Sequence, residues 1–317
     1  MTVTEEHPTI AEAADQAVGL RCPRCAADVP AFDCPQCGFP LRWTAGIVHA
    51  LPPERIAHYA RFIEEYEKVR AAEGRGGDNV ACYLDLPYKD GSGTHQAQWR
   101  IRARSFDYLH SRILRPKLGD GGARILDLGA GNGWMSYRLS LAGYRPVAVD
   151  LLTNDRDGLS AAENYRSRIP ALFPRFRAEF AQLPFRSQMF DAVIFNSSFH
   201  YAEDAEGALR EALRCTRPGG IVAISDTPWY SCEESGHAMV SERRAAFLSR
   251  YETASQALAS IDFVTDDRLR RMEQQLGLEW EVHTPQYGIR WALRPIIARL
   301  RNRREPATFR LYCARKA

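Results

Sequence analysis

Leu126-Asp127-Leu128-Gly129-Ala130-Gly131-Asn132-Gly133 runs from an apolar segment into a glycine-rich turn, and a helical pattern continues from it to Leu141. Glycine accepts backbone angles that other residues resist, so the chain can reverse sharply here and leave bare main chain open to a ligand. The helix that follows starts with unpaired N–H groups and a partial positive charge, which suit a carboxylate. Glycines at 129, 131 and 133 are packed more tightly than in the dinucleotide fingerprint, whose third glycine falls one position later.

Outward from this turn the texture alternates. Arg124–Leu128 reads as a buried strand, Pro146–Leu151 as a second, Phe176–Phe180 as a third and Phe190–Asn196 as a fourth. Glu206–Thr216 reads as a helix and Gly220–Asp226 as a fifth strand; helices near 234–257 and 265–276 follow, the latter with Thr265 as cap. Strands near Trp280–His283 and Thr308–Ala314 flank a basic helical stretch at 289–303. Strands alternating with helices predict an α/β fold with a mostly parallel, Rossmann-like sheet of about seven strands and helices on both faces. Upstream, one helix opens at Pro53-Glu54 with Ile56, Tyr59, Phe62 or Ile63, Tyr66 and Val69 at helical spacing. Thr94 is placed to cap another, which carries Trp99, Ile101, Phe106, Leu109 and Ile113 and ends before Pro116. The expected organisation is a flexible tail (1–20), a zinc ribbon (21–50), a helical linker or cap (51–118) and the sheet domain (119–317).

Asp150 ends the second strand 23 residues after Asp127, where a carboxylate can accept hydrogen bonds from both hydroxyls of a ribose. Downstream stand Glu179-Phe180-Ala181-Gln182-Leu183-Pro184-Phe185, Phe190-Asp191-Ala192-Val193-Ile194 and Arg217-Pro218-Gly219-Gly220. Four segments in this order resemble the motifs of class I S-adenosylmethionine (SAM)-dependent methyltransferases, in particular the type 11 group. The resemblance is close over roughly residues 100–226. It implies SAM as cofactor, held by Asp127, Gly129, Ala130, Gly131, Gly133, Asp150, Leu151 and Asn196, with Glu179 and the main chain of Phe180 at the adenine. Two positions depart from the family's usual pattern: Glu179 replaces the commoner Asp, and Phe180 a small residue.

Methyl transfer from a sulfonium needs in-line alignment and exclusion of water more than it needs acid–base help. If the acceptor arrives protonated, His200, just after the fourth strand, is the candidate catalytic base; the alternative is that it only packs in its loop. Asn196 is not followed by the Pro-Pro-Tyr of amino-methyltransferases, which disfavours that chemistry. Asp226 either lines the acceptor pocket or caps a turn. The aromatic loop 83–95 is either a lid that brings Tyr88 or His95 to the substrate or a packed connection. Trp134 either flanks the cofactor or packs helix on sheet.

Cys22-Pro-Arg-Cys25 and Cys34-Pro-Gln-Cys37-Gly38 form two C-x2-C turns eight residues apart. Four thiolates so spaced predict a structural zinc ribbon, with iron as the chemical runner-up. A closed four-thiolate site has no open position, so it has no catalytic duty. The module resembles the N-terminal zinc finger of certain ribosomal-RNA guanine methyltransferases, which usually end in a pattern with a His.

Composition is that of an ordinary globular chain, 45% hydrophobic and 26% charged, with no apolar run of membrane-spanning length and no basic n-region at the start. Eight cysteines, four of them clustered, then fit metal ligands and reduced thiols, and a cytoplasmic location is expected. From Pro285 onward nine Arg or Lys face a single acid, Glu305, a net +8 that leaves the rest of the +3 chain at −5. In that tract Ile289, Trp291, Leu293, Ile296, Ile297 and Leu300 interleave with arginines, and Pro295 in mid-pattern weighs against a single long helix. Peripheral contact with anionic lipid or with phosphates is open to it, but an Arg-covered outer helix with its apolar face packed on the sheet is the favoured expectation. The leading functional reading is SAM-dependent methylation of a small-molecule or lipid-like acceptor. The alternatives are an RNA methyltransferase gripping phosphates with the ribbon and basic stretch, and a non-catalytic SAM-binding protein.

Overall fold

The computed structural model describes residues 19–77 and 79–317, so the expected tail lies outside the described residues except at its last two positions. Leu20–Arg21 (β1) and Asp28–Val29 (β2) form a small antiparallel ribbon. Arg42–Thr44 (β3) and Ile47–His49 (β4) make a hairpin turned by Ala45 and Gly46, both at positive φ as such a two-residue turn requires. Helix α1 is Pro53–Ala72, α2 is Val80–Leu84, and α3 is Gln96–Tyr108. Helix α3 passes through a π-helical turn, Leu109–Leu114, into α4, Arg115–Leu118. Its N-cap is His95 rather than Thr94, whose hydroxyl is instead 2.9 Å from that of Ser92.

The alternating region follows the pattern of its apolar residues. Arg124–Leu128 (β5), Arg145–Asp150 (β6), Arg175–Arg177 (β7) and Phe190–Asn196 (β8) pair in parallel, with α5 (Trp134–Leu141) between the first two. Helix α6 (Ala205–Cys215) leads into β9 (Thr216–Trp229), longer than expected because β8 borders it on one side and β11 (Thr308–Arg315) on the other. Helix α7 (Glu233–Tyr251) stops at Glu252, which has φ 56°, and α8 (Asp266–Leu276) is capped by Thr265 accepting from the Arg268 N–H. The short β10 (Glu281–His283) completes the edge.

Among the described residues nine strands form one sheet in the order β10-β11-β9-β8-β5-β6-β7-β4-β3. Seven are the expected ones; the hairpin β3–β4 is the addition, because β4 pairs in parallel with β7. The chain fills the sheet from β5 to β7, then returns past β5 to lay down β8. That reversal opens a crevice between the carboxyl ends of β5 and β8, where open α/β sheets bind ligands. Period-two alternation sends Leu126, Val193, Phe195 and Val222 into one buried layer and Ile125, Ala192, Ile194 and Ile221 into the other.

The basic stretch breaks at Pro295 as its sequence suggests, but its packing differs from expectation. It is two short helices, α9 (Ile289–Ala292) and α10 (Arg294–Leu300), because Pro295 cannot continue a helix from within and instead sits in the first turn of the second. Its aliphatic side chains face solvent rather than the sheet. No described helix is long and apolar enough to cross a membrane.

Candidate functional site

The crevice is a cleft of about 1140 Å³, its open mouth included. One wall is the glycine turn. Gly129 has φ 75°, and a Cβ there would fall 2.2 Å from Cβ of Ser198, so only glycine lets the two loops meet. The N–H groups of Gly129 and Ala130 donate to the carbonyl of Val149, at 2.8 and 3.0 Å, tying the turn to β6. Asp150 accepts from Gly131 N–H at 2.7 Å and from Leu152 N–H at 2.8 Å.

Of the sequence-derived cofactor residues, Gly129, Ala130, Gly131, Asp150, Leu151, Glu179, Phe180 and Asn196 line this cleft together. Gly133 does not; it starts α5 and packs on Phe173. Asp127 lies beneath the turn, where Ser136 donates to it at 2.7 Å and its other oxygen has no partner among the described residues. His200 is not among the lining residues. Its half-buried ring lies against Tyr201, 4.4 Å between centroids, and burial followed by the positive charge of Arg243 pushes its pKa down to about 3. Asp226 is buried behind the cleft, accepting from Ser105 at 2.5 Å, and burial raises its pKa. Trp134 and Trp99 line the cleft, their rings edge-to-face at 6.0 Å. In the aromatic loop Tyr88 donates to Asp107 on the surface, while His95 lines a neighbouring cleft with Cys82 and Asn132.

The opposite wall was not legible as a site. Arg55, Tyr59, Phe62, Tyr66 and Arg70 all reach the cleft from α1, spaced four, three, four and four residues apart on a single helical face. The stripe Tyr59, Phe62, Tyr66 reads as core; the clue was an arginine at each end of it. Arg55 holds Glu179 in a fork, Nε to Oε1 at 2.8 Å and Nη2 to Oε2 at 2.6 Å, and the Tyr59 hydroxyl donates to Oε2 at 2.8 Å. Tyr66, Phe62 and Tyr201 form an aromatic cluster with centroids 5.7–6.0 Å apart. Arg70 donates to Asp157 at 2.5 Å. Arg102 comes from α3, lies 4.7 Å over Trp99 and donates to Ser197 at 3.3 Å. It has no carboxylate partner within 4 Å among the described residues; burial, then repulsion from Arg70 and Arg75, brings its pKa down to about 10, so it stays charged at neutral pH.

Apart from the cleft, Cys22, Cys25, Cys34 and Cys37 bring their Sγ atoms within 4.8 Å of one another. Cys22 and Cys37 are 3.6 Å apart and Cys25 and Cys34 3.5 Å, near the ~3.8 Å that four sulfurs ~2.3 Å from one ion would show. The two knuckles repeat one geometry: Ala26 donates to the carbonyl of Cys22 and Gly38 to that of Cys34, each at 2.9 Å and each at positive φ. The donor set and its geometry fit a tetrahedral zinc. The cluster packs into the same core layer as Leu126 and Val193, and β1 bridges to Phe185.

Burial raises Asp127 to about 7 and Asp150 to about 6. A carboxyl whose folded pKa lies above its unfolded value favours folding most while protonated. Its contribution is complete below about pH 4 and is lost as pH rises through about 6 for Asp150 and about 7 for Asp127. Asp127→Asn should therefore raise the melting temperature of the ligand-free protein at about pH 8 and leave it nearly unchanged at about pH 4. A lower melting temperature at the higher pH would contradict this assignment. For the cysteine cluster, elemental analysis of purified protein should find about one zinc per chain, and Cys34→Ala should lose it together with thermal stability. Iron in that analysis, or full stability without metal, would count against a zinc site.

Among known proteins, the family described as a methyltransferase domain, type 11, matches residues 126–224. A demethylmenaquinone methyltransferase from Beutenbergia cavernae is 30% identical over 187 residues, which cover 58% of this chain and 73% of that protein. The 27-O-demethylrifamycin SV methyltransferase of Amycolatopsis mediterranei is 26% identical over 157 residues, 48% of this chain and 57% of the relative. The chain thus spans little more than half the length of some of the curated relatives it matches. A solved structure from Galdieria sulphuraria, assigned as a sarcosine dimethylglycine methyltransferase, superposes with a TM-score of 0.52 at 15% identity, covering 80% of this chain and 98% of that one. That likeness concerns the fold alone.

Proposed function

The chain belongs to the class I SAM-dependent methyltransferases, and from that premise we propose that it transfers a methyl group to a small, largely apolar or lipid-like acceptor bound in the cleft beneath α1. The observation that carries this reading is the two-sided cleft. Gly129–Gly131, Asp150 and Glu179 line one side, and Trp99, Arg102, Tyr66 and Tyr201 the other.

The residues present fit SAM. Each oxygen of Asp150 accepts a single main-chain N–H, which leaves lone pairs for two ribose hydroxyls. Oε1 of Glu179 takes a hydrogen bond from Arg55 alone and can accept another from an adenine amine, while Oε2 is saturated. The unpartnered oxygen of buried Asp127 favours positive charge near the glycine turn. When bound, SAM supplies a methyl group on a sulfonium, an electrophile with a good leaving group.

The chain's own part is placement and exclusion of water. Trp99 and the ring cluster Phe62, Tyr66 and Tyr201 give an apolar acceptor a dry wall. Arg102, charged and without a carboxylate partner, is placed to draw an anionic oxygen of the acceptor toward Ser197. With His200 outside the cleft and its pKa near 3, we assign no proton transfer to it; the acceptor is expected to react as an anion or as a neutral nucleophile. The cysteine cluster would hold zinc in a closed, purely structural site. The matched relatives are named for demethylmenaquinone and 27-O-demethylrifamycin SV, which is consistent with a ring-bearing, poorly soluble acceptor.

Incubation of the purified chain with methyl-labelled SAM and cell extract tests the reading. Label that partitions into organic solvent and survives ribonuclease is expected. Label in ribonuclease-sensitive material would replace this proposal with RNA methylation, and no label despite binding of S-adenosylhomocysteine would leave a non-catalytic SAM-binding protein.

A further inference from the structure

The tract from Tyr287 to Arg304 combines two features that a soluble surface does not need together. Its aliphatic side chains are turned outward: Ile289 is 79% exposed, Ile296 57% and Leu300 82%, with Leu293 and Ile297 beside them. Within the same tract there is no acid, and Arg290, Arg299, Arg301 and Arg303 form no ion pair among the described residues. The tract is firmly seated despite this. Trp291 stacks on Phe309 at 5.6 Å and 24°, Arg294 donates to the carbonyl of Ala307 at 3.4 Å, and just before the tract Arg104 donates to the carbonyl of Gln286 at 3.0 Å. The aromatic residue thus packs inward while the aliphatic ones are presented outward, a choice that the fold's own core does not require.

We propose that α9 and α10 form an interfacial surface that docks on an anionic lipid bilayer, with the aliphatic residues entering the headgroup boundary and the arginines meeting lipid phosphates. A basic, apolar-tipped helical segment gains from both parts of such a surface. Nucleic acid would satisfy the arginines but leave five aliphatic side chains in water. A second copy of the chain would cover the aliphatic residues but set two uncompensated arginine tracts against each other.

The placement matters for the proposed chemistry. The Tyr287 hydroxyl lies 2.8 Å from that of Ser105 on α3, the helix whose Trp99 and Arg102 line the cleft. The docked surface therefore adjoins the acceptor side, and a lipid-soluble acceptor would reach the cleft from the membrane. That last step rests on the methyltransferase reading; the docking itself does not.

Flotation of the full chain with vesicles of phosphatidylglycerol or of phosphatidylcholine, without SAM, tests docking apart from turnover. The chain should float with phosphatidylglycerol and not with phosphatidylcholine, and added salt should weaken the interaction. Replacing Arg299, Arg301 and Arg303 with Gln should lower affinity roughly a hundredfold, from ~1 kcal/mol per basic residue. Ile296→Ser with Leu300→Ser should also weaken it, while both variants, altered only at exposed positions, keep the wild-type melting temperature. Absence of binding to phosphatidylglycerol overturns the proposal. So does binding that survives the aliphatic replacement, preferential capture by RNA, or a concentration-dependent dimer that Leu300→Ser abolishes.

Discussion

A single hydrogen bond sets the shape on which the rest of the cleft depends: the N–H of Gly131 donated to the carboxylate of Asp150 at 2.7 Å. It fastens the loop after the first strand of the alternating region to the tip of the second. With the Gly129 and Ala130 N–H groups on Val149, it fixes the main chain where the sheet's order reverses. The cost is electrostatic. Asp127 in the interior and Asp150 at the cleft wall are both partly stripped of solvent, which pushes them to about 7 and about 6. Buried Asp127 and half-buried Asp150, held in place before any ligand arrives, are a preorganised electrostatic environment, useful to a ligand that brings hydroxyls and positive charge.

The far wall depends on elements outside the alternating region. Hairpin β3–β4 extends the sheet beyond β7, and the segment after β7 carries Glu179. Helix α1 leaves that hairpin and returns across the cleft, where Arg55 and Tyr59 close on Glu179. The cysteine cluster packs into the core layer behind the same loop. The ribbon is thus joined to the wall of the site through a strand pairing and a fork of charge-assisted hydrogen bonds. Removing Arg55 would leave the buried Glu179 carboxylate without its cation, whereas Arg55 would keep a second acid, Glu203, at 3.7 Å.

Much of this was legible in the sequence, for physical reasons. The glycine turn, Asp150 and the β8 loop lie within a few residues of strands whose apolar runs are unambiguous, so topology alone brings them together. Thr265 was legible as a cap because its chemistry is local. What escaped were features set by tertiary placement. Arg102 and the α1 face line the cleft because whole helices lie across it, and helical spacing says which residues share a face, not what the face meets. His200 follows the right strand yet stays out of the cleft, because its loop turns the ring toward Tyr201. The aliphatic residues of 289–300 have the periodicity of a packed face, but Trp291 takes the inward position and leaves them outside.

The cleft between β5 and β8 is proposed as a SAM site organised by Asp150. Isothermal titration with S-adenosylhomocysteine, on the wild type and on Asp150→Ala, tests it most directly. Saturable binding is predicted, weakened on the order of a hundredfold by loss of two hydrogen bonds to a charged acceptor. Undiminished affinity in the variant, or no binding by a folded wild type, would contradict the account.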